Sequence, residues 1–107
     1  SPEVLNINPN PGNFYSPVNE YGCSIQFELT STDLRQPFVT ITIYNMAGVV
    51  LRKLLEDAPI AQGIAAVSWD GKTDSNLMAR NGRYVVRISA RDASGIKENI
   101  GTIVLIK

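Results

Sequence analysis

The chain has 107 residues, with 10 Lys plus Arg, 10 Asp plus Glu, no His and one Cys. This length predicts one domain with one hydrophobic core, and the zero net charge argues against nucleic-acid or anionic-membrane partners, since both need a basic surface. The lack of His removes the commonest general base and transition-metal ligand, and a single Cys excludes an internal disulfide. We therefore predict no enzyme activity, no cofactor and no membrane-inserted segment.

Seven strands and no helix are predicted along the chain. Apolar and polar residues alternate in most of them, as expected when one face of a sheet is buried. Turn signals recur about every 8–12 residues, which is typical of an antiparallel β-sandwich. The predicted strands are residues 3–8, 23–29, 38–44, 49–55, 64–70, 83–92 and 96–107.

Two stretches of this pattern have more than one interpretation. Residues 49–55 could also form a short helix, but their β-branched start and the turn before them favour a strand. Residues 56–63 are predicted to be a loop, because Pro59 and Gly63 interrupt them. The predicted core anchors, which fall in phase with the inward positions of their strands, are Phe27, Ile41, Ile43, Trp69 and Tyr84.

Glycines and Asp70 are predicted to form turns. Gly48 follows Asn45-Met46-Ala47 and is expected to have a positive φ in a hairpin turn. Gly71 and Gly82 bracket a long polar connection, and Asp70 is expected to bond nearby backbone amides there.

The succession of these motifs resembles a known module. The stretches on which the resemblance rests are Asn8-Pro9-Asn10-Pro11, then Ile25 to Leu29, Val39 to Gly48, Val50 to Leu54, Gly63, Trp69-Asp70-Gly71 and Gly82-Arg83-Tyr84. This order resembles the immunoglobulin-like module related to the flagellar hook-capping protein. Similar modules lie at the C-terminal ends of secreted and surface proteins of bacteria.

The resemblance implies a seven-stranded antiparallel sandwich of the Ig-like or fibronectin III-like type, without catalysis. It would act as a spacer, a docking piece or a C-terminal sorting or assembly element. We expect residues 1–107 to form a single domain from the C-terminal end of a larger secreted or cell-surface bacterial protein. Expected partners are neighbouring domains of that polypeptide and a secretion or assembly protein, with a monomer in isolation. The first and last strands are the candidate edges for pairing with another chain.

Two other functions remain open. One is a small carbohydrate-binding module, with or without calcium, built from the Gly71–Gly82 loop and from the aromatics Phe14, Tyr15 and Tyr21. Trp69 with Tyr84 could likewise be a sugar-stacking platform, although a core pair with a tyrosine-corner hydroxyl is favoured. The other function is a genuine flagellar hook-assembly domain.

The remaining polar side chains favour structural roles. Asp70, Asp74 and Asn76 lack the spacing of a calcium loop, and nothing around the two carboxylates indicates a glycosidase pair. Cys23 has no His partner and falls on an inward position of its strand. A stripe on the strand 83–92 could dock an acidic partner, but a solvated face with cross-strand Glu neighbours is favoured; it comprises Arg83, Arg87 and Arg91.

Overall fold

The structure, a computed structural model, describes residues 5–9, 23–31, 36–93 and 95–105. These residues form strands joined by turns and loops. In chain order the strands are β1 (Leu5–Pro9), β2 (Cys23–Ser31), β3 (Phe38–Tyr44), β4 (Val50–Pro59), β5 (Gly63–Trp69), β6 (Gly82–Asp92) and β7 (Gly95–Leu105).

The strands form two antiparallel sheets. One has the order β1-β2-β5 and the other has the order β4-β3-β6-β7. The prediction of an all-β antiparallel sandwich is confirmed, and the arrangement is consistent with an Ig-like fold. The edge strands are β1 and β5 in the first sheet and β4 and β7 in the second.

The predicted loop over residues 56–63 is wrong over its first half, because β4 continues to Pro59. This strand lies at an edge, where a proline costs no ladder hydrogen bond on the open side. Its register against β3 shifts at several points, and Asp57 has a φ of 51°. The backbone N–H of Asp57 donates to Thr40 Oγ1 at 3.0 Å, so the irregular segment stays attached to β3.

The core lies between the sheets. Alternate residues of β2, β3 and β6 point into it, and the residues between them are exposed or half-buried except Thr42 of β3, which is buried. The hydrophobic residues buried there are Ile25, Phe27, Leu29, Val39, Ile41, Ile43, Trp69, Ala79, Tyr84, Val86, Ile88, Ala90, Ile103 and Leu105. All five predicted anchors are in this set. The side chain of Cys23 lies outside the described part of the chain.

The arginines of β6 face outward and two of them contact carboxylates. Arg87 donates to Glu98 of the neighbouring strand β7. Arg91 donates through Nε and Nη2 to the two carboxylate oxygens of Asp57, at 2.8 and 2.7 Å, and its guanidinium lies 4.5 Å from the centre of the Phe38 ring. These pairs support the solvated face with cross-strand acidic neighbours for Arg87 and Arg91.

The two pairs predict a loss of stability in acid. The pKa of Asp57 is lowered by its hydrogen bonds from Arg91, and the pKa of Glu98 is lowered by its hydrogen bond from Arg87. A carboxyl with a lowered pKa in the folded state stabilises the fold above its unfolded pKa, and that contribution is lost as pH falls through the folded value. We therefore expect the melting temperature to decrease below about pH 5.

Asp57→Asn tests this expectation, because asparagine tolerates the positive φ while it removes the charge and one of the two oxygens that accept from Arg91. Thermal unfolding at pH 7 and pH 3 should show a smaller difference in melting temperature for the variant than for the wild type. Glu28→Gln on the other sheet is the matched control and should keep the wild-type difference. Equal pH dependence of Asp57→Asn and wild type would contradict the role given to Asp57.

Candidate functional site: the loop end of the sandwich

The β3–β4 turn and the β5–β6 loop lie at the same end of the sandwich. Tyr44, the last residue of β3, pairs with Val85 near the start of β6, and the loop after β5 is hydrogen-bonded to the start of β4. We call residues 45–50 and 70–82 together the loop end.

Trp69 and Tyr84 anchor the long loop. Their rings meet edge to face, with centroids 5.8 Å apart and an interplanar angle of 74°. Trp69 Nε1 donates to the backbone carbonyl of Lys72 at 2.9 Å, and the Tyr84 hydroxyl donates to the carbonyl of Arg80 at 2.5 Å. Each ring thus packs in the core while its polar atom holds one end of the loop.

A sugar-stacking platform needs an exposed ring face. Trp69 is 0% exposed and Tyr84 is 8% exposed. The platform interpretation of this pair is therefore wrong. The other aromatics considered for sugar binding, Phe14, Tyr15 and Tyr21, lie outside the described residues.

Asp70 and Asp74 bond to backbone amides and to one arginine. Asp70 Oδ1 accepts from the Lys72 N–H at 2.9 Å and from Arg52 Nη1 at 3.2 Å. Asp74 Oδ1 accepts from the Lys53 N–H at 3.2 Å and lies 3.7 Å from Arg52 Nε. Asp70 thus accepts from an amide two residues away, as expected for a turn, whereas the side chain of Asp74 bonds to a distant strand. Within the described ranges no three His, Cys, Asp or Glu residues converge as metal ligands would.

The long loop covers part of the β4 edge. The Asp74 N–H donates to the Leu51 carbonyl at 2.8 Å, and the Asp74 side chain accepts from the next outward-facing amide of β4, that of Lys53. One residue of the loop therefore satisfies a donor and an acceptor that an edge strand leaves open. The sequence did not predict this contact.

Local turns make both parts of the loop end compact. Asn45 Oδ1 accepts from the N–H groups of Ala47 and Val49, each at 2.9 Å, and Gly48 has the predicted positive φ, 85°. In the long loop, Thr73 Oγ1 accepts from the Ser75 and Leu77 amides. Gly71 is buried with a φ of 80°, a conformation that a residue with a Cβ rarely adopts. Gly82 has a φ of 150° where β6 begins.

These turns present apolar side chains to solvent. Among them Leu77 is 66% exposed and Met46 is 63% exposed, although both sit in segments that are fixed by hydrogen bonds. Large exposed apolar clusters with a polar rim mark interaction sites in many proteins. We call the set the apolar end; its residues are Met46, Val49, Val50, Leu77 and Met78.

Comparison with known proteins identifies the family. The FlgD Ig-like domain family matches residues 22–94, which is more than half of the chain. The chain belongs to this family. FlgD is the flagellar hook-capping protein, so the resemblance seen in the sequence is confirmed. The matched region spans β2 to β6 and includes the whole loop end.

The solved structures agree on the fold. A crystal structure of an engineered protein, a Northeast Structural Genomics Consortium target at 1.98 Å, aligns with a TM-score of 0.60 and 18% identity. The alignment covers 100% of this chain and 21% of the engineered protein, so the chain spans about a fifth of that protein's length. At this identity the likeness shows the fold alone. No curated protein matches the chain significantly.

In the described part of the chain no helix has the length and apolar character needed to cross a membrane.

Proposed function

We propose that the chain is a non-catalytic accessory module of a larger secreted or cell-surface bacterial protein and that it docks another protein domain through the apolar end. Membership of the FlgD Ig-like family supports an assembly role, since that family is a structural module. The observation that carries the docking role is the exposure of apolar side chains on a hydrogen-bonded frame. The complete module would be a seven-stranded Ig-like sandwich, with β1 as one edge.

The exposed apolar side chains project from segments that hydrogen bonds hold in place. Met46 and Val49 project from a turn that Asn45 closes. Leu77 and Met78 project from a loop that is anchored to Trp69, Tyr84 and β4. A segment held in this way keeps its apolar residues in place without burying them, which costs solvation free energy unless a partner covers them.

The chemistry of the surface fits a protein partner. Methionine is flexible and polarizable and is frequent at surfaces that contact other proteins. Arg52 forms ion pairs with Asp70 and Asp74 of the long loop, so charges of both signs are present at this end of the sandwich. An apolar centre with a mixed polar rim is the usual composition of a protein–protein contact.

The strand directions support a spacer role as well. Leu5, at the start of β1, pairs with Ser31 at the far end of β2. Leu105, at the end of β7, pairs with Gly82 at the loop end. A chain with this course enters the sandwich at one end and leaves at the other, so it would separate whatever lies on its two sides.

A role in flagellar hook assembly is the second candidate function, and the family match is the observation that favours it. Docking through the apolar end would serve either role, because both need a rigid module that contacts a neighbour. Carbohydrate binding depends on Phe14, Tyr15 and Tyr21 and stays a prediction from the sequence.

Site-specific photocrosslinking in producing cells tests the docking role. A photoreactive amino acid replaces Leu77 in the full-length protein, and the same amino acid replaces Thr102 on β7 as the control, since both positions are exposed. We expect position 77 to give one discrete adduct that mass spectrometry maps to a defined surface of another domain or protein, at several times the yield of position 102. Equal, diffuse labelling at both positions would overturn the docking role of the apolar end.

A further inference from the structure

The β5 strand lies at the edge of its sheet and carries no charged residue. It pairs with β2 on one side, and among the described residues no backbone group pairs with its other side. Its sequence, Gly-Ile-Ala-Ala-Val-Ser-Trp, contains no charged residue and no proline. Ile64, on its outer face, is 70% exposed. Edge strands of this composition are templates for pairing with another strand.

The other described edges carry features that oppose pairing. In β4 the register is irregular and Pro59 ends the strand. Asp74 of the long loop also forms hydrogen bonds with the Leu51 carbonyl and the Lys53 N–H of this strand. In β7 the charged residues Lys97 and Glu98 are exposed. The short strand β1 ends in a proline, Pro9. Charges, prolines and covering loops are the usual means by which an edge avoids association; β5 contains no charge and no proline, and no loop among the described residues covers it.

From this contrast we propose that β5 pairs antiparallel with β5 of a second copy of the chain. A two-fold axis beside Ala66 places Ala66 of one copy opposite Ala66 of the other. Ile64 of each copy then lies opposite Ser68 of the other copy, and Gly63 lies opposite Trp69. All seven residues of the strand then have a partner, and the two three-stranded sheets join into one sheet of six strands. No like charges meet, because the strand is neutral, and the zero net charge of the chain adds no overall repulsion.

The pairing is a weak one by its size. A contact limited to two edge strands falls at the small end of protein interfaces, where association is transient. We expect a dissociation constant on the order of 0.1 mM. The monomer expected from the sequence alone thus applies to dilute solution, and the dimer forms where the local protein concentration is high.

A pair of charge variants at the axis tests the proposal. Ala66 is exposed on the outer face of the sheet, so Ala66→Lys and Ala66→Glu leave the core unchanged. Sedimentation equilibrium from roughly 10 μM to 1 mM should show a dimer for the wild type. Each variant alone should be weaker, because like charges face each other across the axis. A 1:1 mixture of the two should associate about tenfold more tightly than either variant alone.

Thr102→Lys is the matched control, because it adds the same charge at an exposed position of a different edge strand, β7. It should dimerise like the wild type, with circular dichroism confirming that all variants are folded. A wild type that stays monomeric throughout, a mixture no tighter than its components, or loss of the dimer in Thr102→Lys would each overturn the proposal. The docking role of the apolar end does not depend on this result, since none of its residues is in β5.

Discussion

Trp69→Ala is expected to lower the free energy of unfolding by about 3–5 kcal/mol. The indole is 0% exposed, packs edge to face on Tyr84 and holds the loop through the Lys72 carbonyl. Truncation leaves a cavity in the core and removes that loop contact at once. Domains of this size are stable by about 5–15 kcal/mol in total, so one substitution removes a large share. Urea denaturation followed by circular dichroism measures it, because the variant has no Trp.

Trp69→Phe separates packing from the hydrogen bond. It retains an aromatic ring but has no N–H, and the Lys72 carbonyl still accepts from Arg52 Nη1 at 3.1 Å. We expect this variant to lose about 1–2 kcal/mol, well below the alanine variant. In the wild type, Trp69 fluorescence should be blue-shifted and resist acrylamide quenching. A loss under about 1 kcal/mol in Trp69→Ala would show that the indole does not anchor the core.

The strands were predictable because burial on one face leaves a period of two in the sequence. In β6 the residues Tyr84, Val86, Ile88 and Ala90 alternate with outward residues, and the structure buries all four. The sequence does not predict the end of β4, for a physical reason. A proline in a polar stretch indicates a break, but at the end of an edge strand it fits without loss of a ladder bond.

The candidate site was predictable only where local signals exist. The glycine of the β3–β4 turn and the carboxylate of Asp70 act within a few residues of their own positions, so turn chemistry predicts them. The contact between Asp74 and Leu51 joins residues far apart in sequence, and no periodicity reports it. The apolar end and the edge position of β5 could not be predicted, because both depend on the order of the strands in the sheets, and the sequence pattern does not give that order.

Phe27→Ala is the second large effect, and we expect a loss of about 3–5 kcal/mol. Phe27 is 0% exposed on β2, the central strand of its sheet. Its neighbour on β5 is the small residue Ala65, which cannot extend into the space that the ring leaves. Urea denaturation followed by Trp69 fluorescence measures the loss, and an unchanged slope against urea would show that the folded state is otherwise intact.

Gln26→Ala is the matched control, because it lies next to Phe27 on the same strand but points outward. It should change the free energy of unfolding by less than about 0.5 kcal/mol. Phe27→Leu keeps most of the apolar volume and should lie between the two, which keeps the test informative if the alanine variant does not fold. Similar losses at positions 26 and 27 would contradict the burial pattern of β2. Since β2 holds β5 in place, that result would also argue against the placement of the β5 edge strand.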